Sequence, residues 1–163
     1  MEKFTFAFVP KTLEEVQTLP ETALDSPYKT AALSLLVLCN YENSVEDTHT
    51  MLDFLRGPNP LTPMAKQFLR DRLRGKTYKT FSFFEGALPS NNYKPSLPYT
   101  ITVTETPYSF VEENWATLYV KRGGADSARP ITLRKKPSIG QWFLNEMLCL
   151  SDIRLPESED QWA

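Results

Sequence analysis

Residues 31 to 38 read Ala-Ala-Leu-Ser-Leu-Leu-Val-Leu, a stretch that is apolar nearly all round. Ser26-Pro27 precedes it as an N-cap followed by proline at the first helical position. A helix without a polar stripe has to be covered on every side, so the rest of the chain must enclose this one as the buried centre of the fold. The whole apolar run, Ala31 to Cys39, is about half of the ~20 residues that a membrane-spanning helix needs. A transmembrane segment is therefore not expected.

Around that helix, other helical signals fill residues 11 to 76. Thr12-Leu13-Glu14-Glu15 is a capping box for a short helix reaching about Leu19 and stopped by Pro20. Ser44-Val45-Glu46-Asp47 starts a third helix that turns Val45, Met51, Leu52 and Leu55 inward and ends on Arg56-Gly57-Pro58, a cationic last turn, a glycine and a proline. Thr62-Pro63 opens a fourth, with Phe68, Leu69 and Leu73 as its apolar stripe and Gly75 beyond its end.

The period is that of strands at both ends of this helical block. Phe4, Phe6 and Phe8 alternate with Thr5 and Ala7 before Pro10. After residue 76, Tyr78 to Glu85 is an aromatic strand candidate, residues 88 to 98 form a Pro/Asn/Ser loop, and Tyr99 to Thr104 alternates strictly. Strands follow at Trp115 to Arg122, Pro130 to Lys136 and Gln141 to Leu148, joined by turns at Gly123-Gly124 and at Pro137-Ser138-Ile139-Gly140. The expected fold is α+β: an N-terminal strand and a helical layer (about 11–76) on one face of a mostly antiparallel sheet meander (about 77–149), with an irregular tail at 150–163, all in one domain. One domain suits a chain of 163 residues.

Alternation then assigns the two faces of the sheet. With Ile101, Val103, Leu118, Val120, Ile131 and Leu133 toward the helices, the threonines of the same strands, Tyr119, Lys121, Arg134 and Lys136 face the other way. That face is polar and cationic, and Tyr119, Lys121, Arg134 and Lys136 are its candidate binding residues. The tail keeps apolar residues at Ile153, Leu155 and Trp162, which predicts Ile153 and Leu155 lying against the helical layer and Trp162 in a shallow groove, on its own subunit or on a neighbour in a homodimer.

Few chemistries have their residues here. His49 is the sole histidine, so a Ser/His/Asp or Cys/His mechanism has one base to draw on, and it lies mid-helix beside Asp47 and Asp53, where it reads as an exposed helical histidine. Cys39 and Cys149 fit no zinc or redox spacing and read as buried thiols, and no metal or cofactor is expected. No P-loop, dinucleotide-binding or zinc-protease motif is present. Glu112-Glu113 and the Asp47/Asp53 pair read as solvated charge.

The net charge of -2 gives no bulk attraction for nucleic acid or anionic membrane. Two segments are locally basic: Lys66, Arg70, Arg72, Arg74, Lys76 and Lys79 against Asp71, and Lys121, Arg122, Arg129, Arg134, Lys135 and Lys136 against Asp126. Residues 1 to 20 lack the basic and apolar regions of a signal peptide, so a cytoplasmic location is expected.

The segments Gly123-Gly124-Ala125-Asp126-Ser127, Arg129-Pro130-Ile131-Thr132-Leu133-Arg134-Lys135-Lys136, Gln141-Trp142-Phe143-Leu144, Ser151-Asp152-Ile153-Arg154 and Asp53-Phe54-Leu55-Arg56-Gly57-Pro58 together resemble an uncharacterised family of small proteins from gut-type Firmicutes. The resemblance spans essentially the whole chain and implies a bacterial, intracellular protein. It brings no activity, catalytic residue or cofactor, the family being a domain of unknown function. Where the family pattern has a further tryptophan after Trp-Phe-Leu, this chain has Asn145.

The expected function is a non-enzymatic interaction or ligand-binding module with a protein or small-molecule partner. An enzyme with a pocket between helices and sheet, by fold-level analogy with NTF2-like proteins, is the alternative. A third reading is weak nucleic-acid or phosphate binding through the basic sheet face.

Overall fold

The computed structural model describes all 163 residues. It is an α+β fold whose five strands form one antiparallel sheet in the order β1-β2-β3-β4-β5: Glu2–Phe6, Tyr99–Thr104, Trp115–Val120, Arg129–Lys136 and Gln141–Glu146. The N-terminal strand β1 joins the edge of the C-terminal meander by pairing with β2, Phe4 opposite Ile101 and Phe6 opposite Tyr99. Between them in sequence lie helices α1 (Leu13–Val16), α2 (Pro27–Leu38), α3 (Val45–Arg56), α4 (Pro63–Leu73) and α5 (Tyr78–Phe81). No helix is long and apolar enough to cross a membrane.

α2 lies across the sheet, touches all five strands, and buries ten of its twelve residues. Its buried hydroxyls are satisfied: Thr30 Oγ1 donates to the Trp142 carbonyl at 2.7 Å and Ser34 Oγ to the Thr30 carbonyl at 2.7 Å. Truncating one of its central leucines to alanine would cost about 2–5 kcal/mol. The helix starts follow the expected caps: backbone N–H groups of Glu15, Tyr28, Asp47 and Ala65 donate to the side chains of Thr12, Ser26, Ser44 and Thr62. The Glu15 carboxylate reaches back to the Lys11 N–H, one residue earlier than a strict capping box.

The sheet faces divide as alternation predicts. Ile101, Val103, Leu118, Val120, Ile131 and Leu133 are buried beneath the helices. β5 is the far edge of the sheet, yet its outer backbone is occupied. The Trp142 N–H donates to the Leu24 carbonyl at 2.7 Å, the Trp142 carbonyl accepts from Thr30, and the Asn145 carbonyl accepts from Arg56 Nη1 at 2.8 Å.

Some expectations require correction. Residues 78 to 85 form no strand but the short helix α5 and a run of turns. Their side chains serve their own backbone, Thr80 Oγ1 donating to the Thr77 carbonyl and Ser82 Oγ to the Lys79 carbonyl, and Ser82, Phe83 and Phe84 are buried in succession. A half-buried strand, which turns alternate side chains outward, could not bury three in a row. Val45 and Phe68 lie on the outer faces of their helices, Phe8 lies past the end of β1, and the 13–19 helix stops at Val16, with a 3-10 turn at Pro20–Ala23.

At the end of α3, Gly57 has φ +60° and ψ -119°, a conformation open in practice to glycine alone. A Cβ built there would stand 2.5 Å from the Phe143 ring. Gly57→Ala is expected to lower stability by about 1–3 kcal/mol through backbone strain, and to displace Phe143. A denaturant midpoint unchanged from the parent chain would refute this.

Two basic residues of the sequence clusters are interior. Lys79 is 1% exposed and pairs with Asp152 at 2.5 Å. Arg122 is 5% exposed and in no ion pair. Its Nε donates to Ser82 Oγ at 2.9 Å, Nη1 to the carbonyls of Cys149 (2.8 Å) and Ser151 (2.6 Å), and Nη2 to the Lys79 carbonyl at 3.0 Å. The guanidinium also lies over the Phe83 ring, 4.4 Å from its centroid.

The tail is thus fastened to the fold, by polar groups more than by the apolar residues expected to dock. Tyr93 donates its hydroxyl to the Arg154 carbonyl at 2.6 Å, and the Arg154 N–H donates to the Gly124 carbonyl at 3.1 Å. The close approach explains the turn glycine: Gly124 has φ +75°, and a Cβ there would overlap the Tyr93 hydroxyl. Leu150 and Pro156 are buried, whereas Ile153 is half-buried, Leu155 is exposed and Trp162 is 87% exposed. Within this chain no groove receives Trp162, contrary to one arrangement expected for it.

Candidate functional site: a cationic groove at the sheet edge

On the outer face of the sheet the predicted polar residues are half-buried or exposed. Arg134 stands opposite Trp115 in register, its guanidinium 4.9 Å from the indole centroid. Tyr119 lies nearer the middle of the face, paired with Pro130. Lys121 is at the far end, beside a separate shallow depression lined by Thr102 and Gly86. Of the cations on this face, Lys3 is paired with Glu85 at 3.1 Å, whereas Lys121, Arg134 and Lys136 are in no ion pair.

Arg134 and Lys136 continue into a groove of about 360 Å³ between the loop that ends α3 and the β4–β5 hairpin. Arg56, Asn59, Phe143 and Asn145 line it too, and no carboxylate does. The four candidate face residues are therefore split: two share the groove, and Tyr119 and Lys121 stand apart from it. Arg56 is the residue that sequence reasoning missed, having been assigned to the last turn of a helix. The signal was the tight Arg-Gly-Pro-Asn sequence, which folds the chain back over β5.

Arg56 is held in place by backbone. Nε donates to the Asn59 carbonyl at 2.9 Å and Nη1 to the Asn145 carbonyl at 2.8 Å, leaving Nη2 without a protein acceptor. Burial lowers its pKa from the ordinary guanidinium value, an effect opposed by Asp53 and Glu146 nearby. A half-buried guanidinium fixed by carbonyls and flanked by unpaired cations is a geometry suited to a small anion.

A second groove, of about 380 Å³, runs between α4 and the end of β5 and shares Arg56 and Asn145 with the first. Its walls are apolar: Leu61, Met64, Phe68 and Met147 among others, with Glu146 at the rim. Met64 is 83% exposed, Phe68 42% and Leu148, also on the wall, 54%.

The space between helices and sheet, where a catalytic pocket would lie, is filled by the core side chains. His49 is half-buried rather than exposed, with its ring edge-on to Tyr41 at 6.3 Å between centroids. Its Nε2 has no hydrogen-bond partner, and burial, reinforced by Lys66, lowers its pKa. Cys39 and Cys149 are buried, and burial pushes both thiols up to about 12, away from nucleophilic or metal-binding use. Asp53 accepts the Leu61 N–H at 2.8 Å and so shapes the loop after α3, while Glu112 and Glu113 are exposed.

A family model described as a domain of unknown function (DUF6935) matches residues 8–157. No curated protein and no solved structure matches the chain.

Proposed function

We propose that this chain, which belongs to the DUF6935 family of domains of unknown function, is a non-enzymatic binding module that seats an anionic ligand in the groove formed by Arg56, Arg134 and Lys136. One observation carries the reading: several cations converge on a groove without a single carboxylate, and one of them is pinned by two backbone carbonyls. Guanidinium and ammonium groups that only kept a surface solvated would have no need of such fixing. The module is taken as the whole of residues 1–163. Its filled interior and its out-of-reach thiols favour binding over catalysis.

Titration of the isotopically labelled chain with pyrophosphate tests the reading. Amide resonances of Arg56, Gly57, Asn59, Arg134, Lys135, Lys136 and residues 143–145 are expected to shift and saturate, and the Arg134→Glu/Lys136→Glu double variant to lose the response. Shifts scattered over the whole surface, or unchanged in the double variant, would sink the proposal. Oligonucleotides are expected to bind more weakly than micromolar at physiological salt, because few phosphates can meet cations at once in so short a groove. Submicromolar binding that vanishes in the same double variant would favour nucleic acid as the ligand.

A further inference from the structure

We infer that the cationic groove and the apolar groove are two halves of one site, built for an anionic amphiphile: a ligand with a phosphate or carboxylate head and a short hydrocarbon chain. The inference rests on the cationic groove being a ligand seat and adds the chemical class of the ligand. Arg56 and Asn145 line both grooves, so the two meet at one guanidinium. Head and chain would then lie on opposite sides of Arg56.

Each half leaves something unexplained without the other. A ligand that is all head accounts for Arg56, Arg134 and Lys136 but not for the apolar wall beyond Arg56. Met64 and Phe68, one helical turn apart on α4, present an apolar stripe to solvent while Leu69 and Leu73 of the same helix serve the core. Leu148 extends that stripe from the end of β5. An exposed apolar patch bordered by polar groups marks a binding groove more often than a bare surface. Methionine, unbranched and adaptable, suits a flexible chain better than a rigid ring.

A ligand that is all chain leaves the cations idle. The charges also give the site a direction: Glu146 lines the apolar groove and no acid lines the other, so an anionic head is repelled from one end and attracted to the other. Each groove is within the size range of small-molecule sites.

Isothermal titration of the full chain with octyl phosphate and octanoate, below their micelle-forming concentrations, tests this against 1-octanol and inorganic phosphate. Both amphiphiles are expected to bind one to one, at least about tenfold tighter than either control. Phe68→Glu changes an exposed side chain; it should cost octyl phosphate about tenfold in affinity and leave inorganic phosphate unaffected. Arg134→Gln should weaken the amphiphiles and inorganic phosphate alike. Should octyl phosphate bind no better than inorganic phosphate, the apolar half is not part of the site, although the anion seat stands. Equal binding of 1-octanol and octyl phosphate would make the head irrelevant and overturn the inference. Failure of every anion to bind would remove both this inference and the anion seat beneath it. Cosedimentation with phosphatidylglycerol vesicles, without stoichiometric binding of monomeric octyl phosphate, would also overturn it, in favour of a membrane surface.

Discussion

Replacing Arg122 by methionine is expected to lower the stability of the chain by about 3–5 kcal/mol, a large part of the total for a domain of this size. Methionine keeps an apolar stem against Phe83 but offers no donor to the four oxygens that Arg122 now serves. Three of them are backbone carbonyls from two segments far apart in sequence; that of Lys79 keeps the Ser82 hydroxyl, but those of Cys149 and Ser151 lose their donor, and leaving each unpaired costs about 1–3 kcal/mol before relaxation. Burial pushes the Arg122 pKa down to about 10, still above neutrality, so the group is a cation whose charge is balanced by carbonyl dipoles. Arg122→Lys retains the charge but not the planar fan of donors and should recover only part of the loss. Equilibrium unfolding in urea measures both, and a loss under about 1 kcal/mol for the methionine variant would contradict the clamp.

Removing residues 150 to 163 is expected to prevent a cooperative fold altogether. The cut takes Leu150 out of the core, the Ser151 carbonyl from Arg122, the Arg154 carbonyl from Tyr93, and the Asp152 carboxylate from Lys79. Loss of one buried leucine is worth about 2–5 kcal/mol, and each of the three hydrogen bonds lost with the tail about 0.5–3 kcal/mol, the charged ones at the upper end. Together they rival the whole stability of a small domain. Removing only residues 157 to 163 takes away groups that are exposed apart from the half-buried Asp160, with the Asn92–Ser158 hydrogen bond, and should cost under about 1 kcal/mol. Circular dichroism and thermal melts of the two truncations decide the matter, and equal melting of both would refute it.

The same contact predicts a pH dependence. The hydrogen bond from Lys79 holds Asp152 below the usual carboxylate range, so its stabilisation is present above the ordinary carboxylate pKa and fades as pH falls through the lowered value. Asp152→Asn should flatten the acid limb of a stability–pH profile. An unchanged acid limb would mean that the pair contributes nothing there.

Period and punctuation made most of the architecture legible from sequence. Strict alternation at 99–104, and the apolar alternation of Leu118 with Val120 and of Ile131 with Leu133, separated the two faces of the sheet correctly because one face is dry and the other is not. Capping residues placed the starts of α2, α3 and α4 for an equally local reason. What failed was non-local. Tyr78 to Glu85 has a strand's composition but is folded by hydroxyls bonding to nearby carbonyls and by burial against distant partners. Arg122 and Lys79 read as members of surface clusters because nothing in their neighbourhood announces that the tail returns to cover them. The groove was half visible: Arg134 and Lys136 follow from strand alternation, whereas Arg56 joins them only because Gly57 lets the chain pass close over Phe143.

The two rims of the sheet are unlike, and this limits how copies of the chain can associate. The β5 rim is closed by Leu24, Thr30 and Arg56, whereas β1 has no strand on its outer side. An open-ended filament built by strand addition needs two receptive rims on every copy, one for the copy before it and one for the copy after. With one rim available, pairing of this kind joins β1 to β1 about a twofold axis and ends there, leaving both closed rims outermost. Growth by sheet extension stops at two copies, and propagation past that point requires the helical layer to come away from β5.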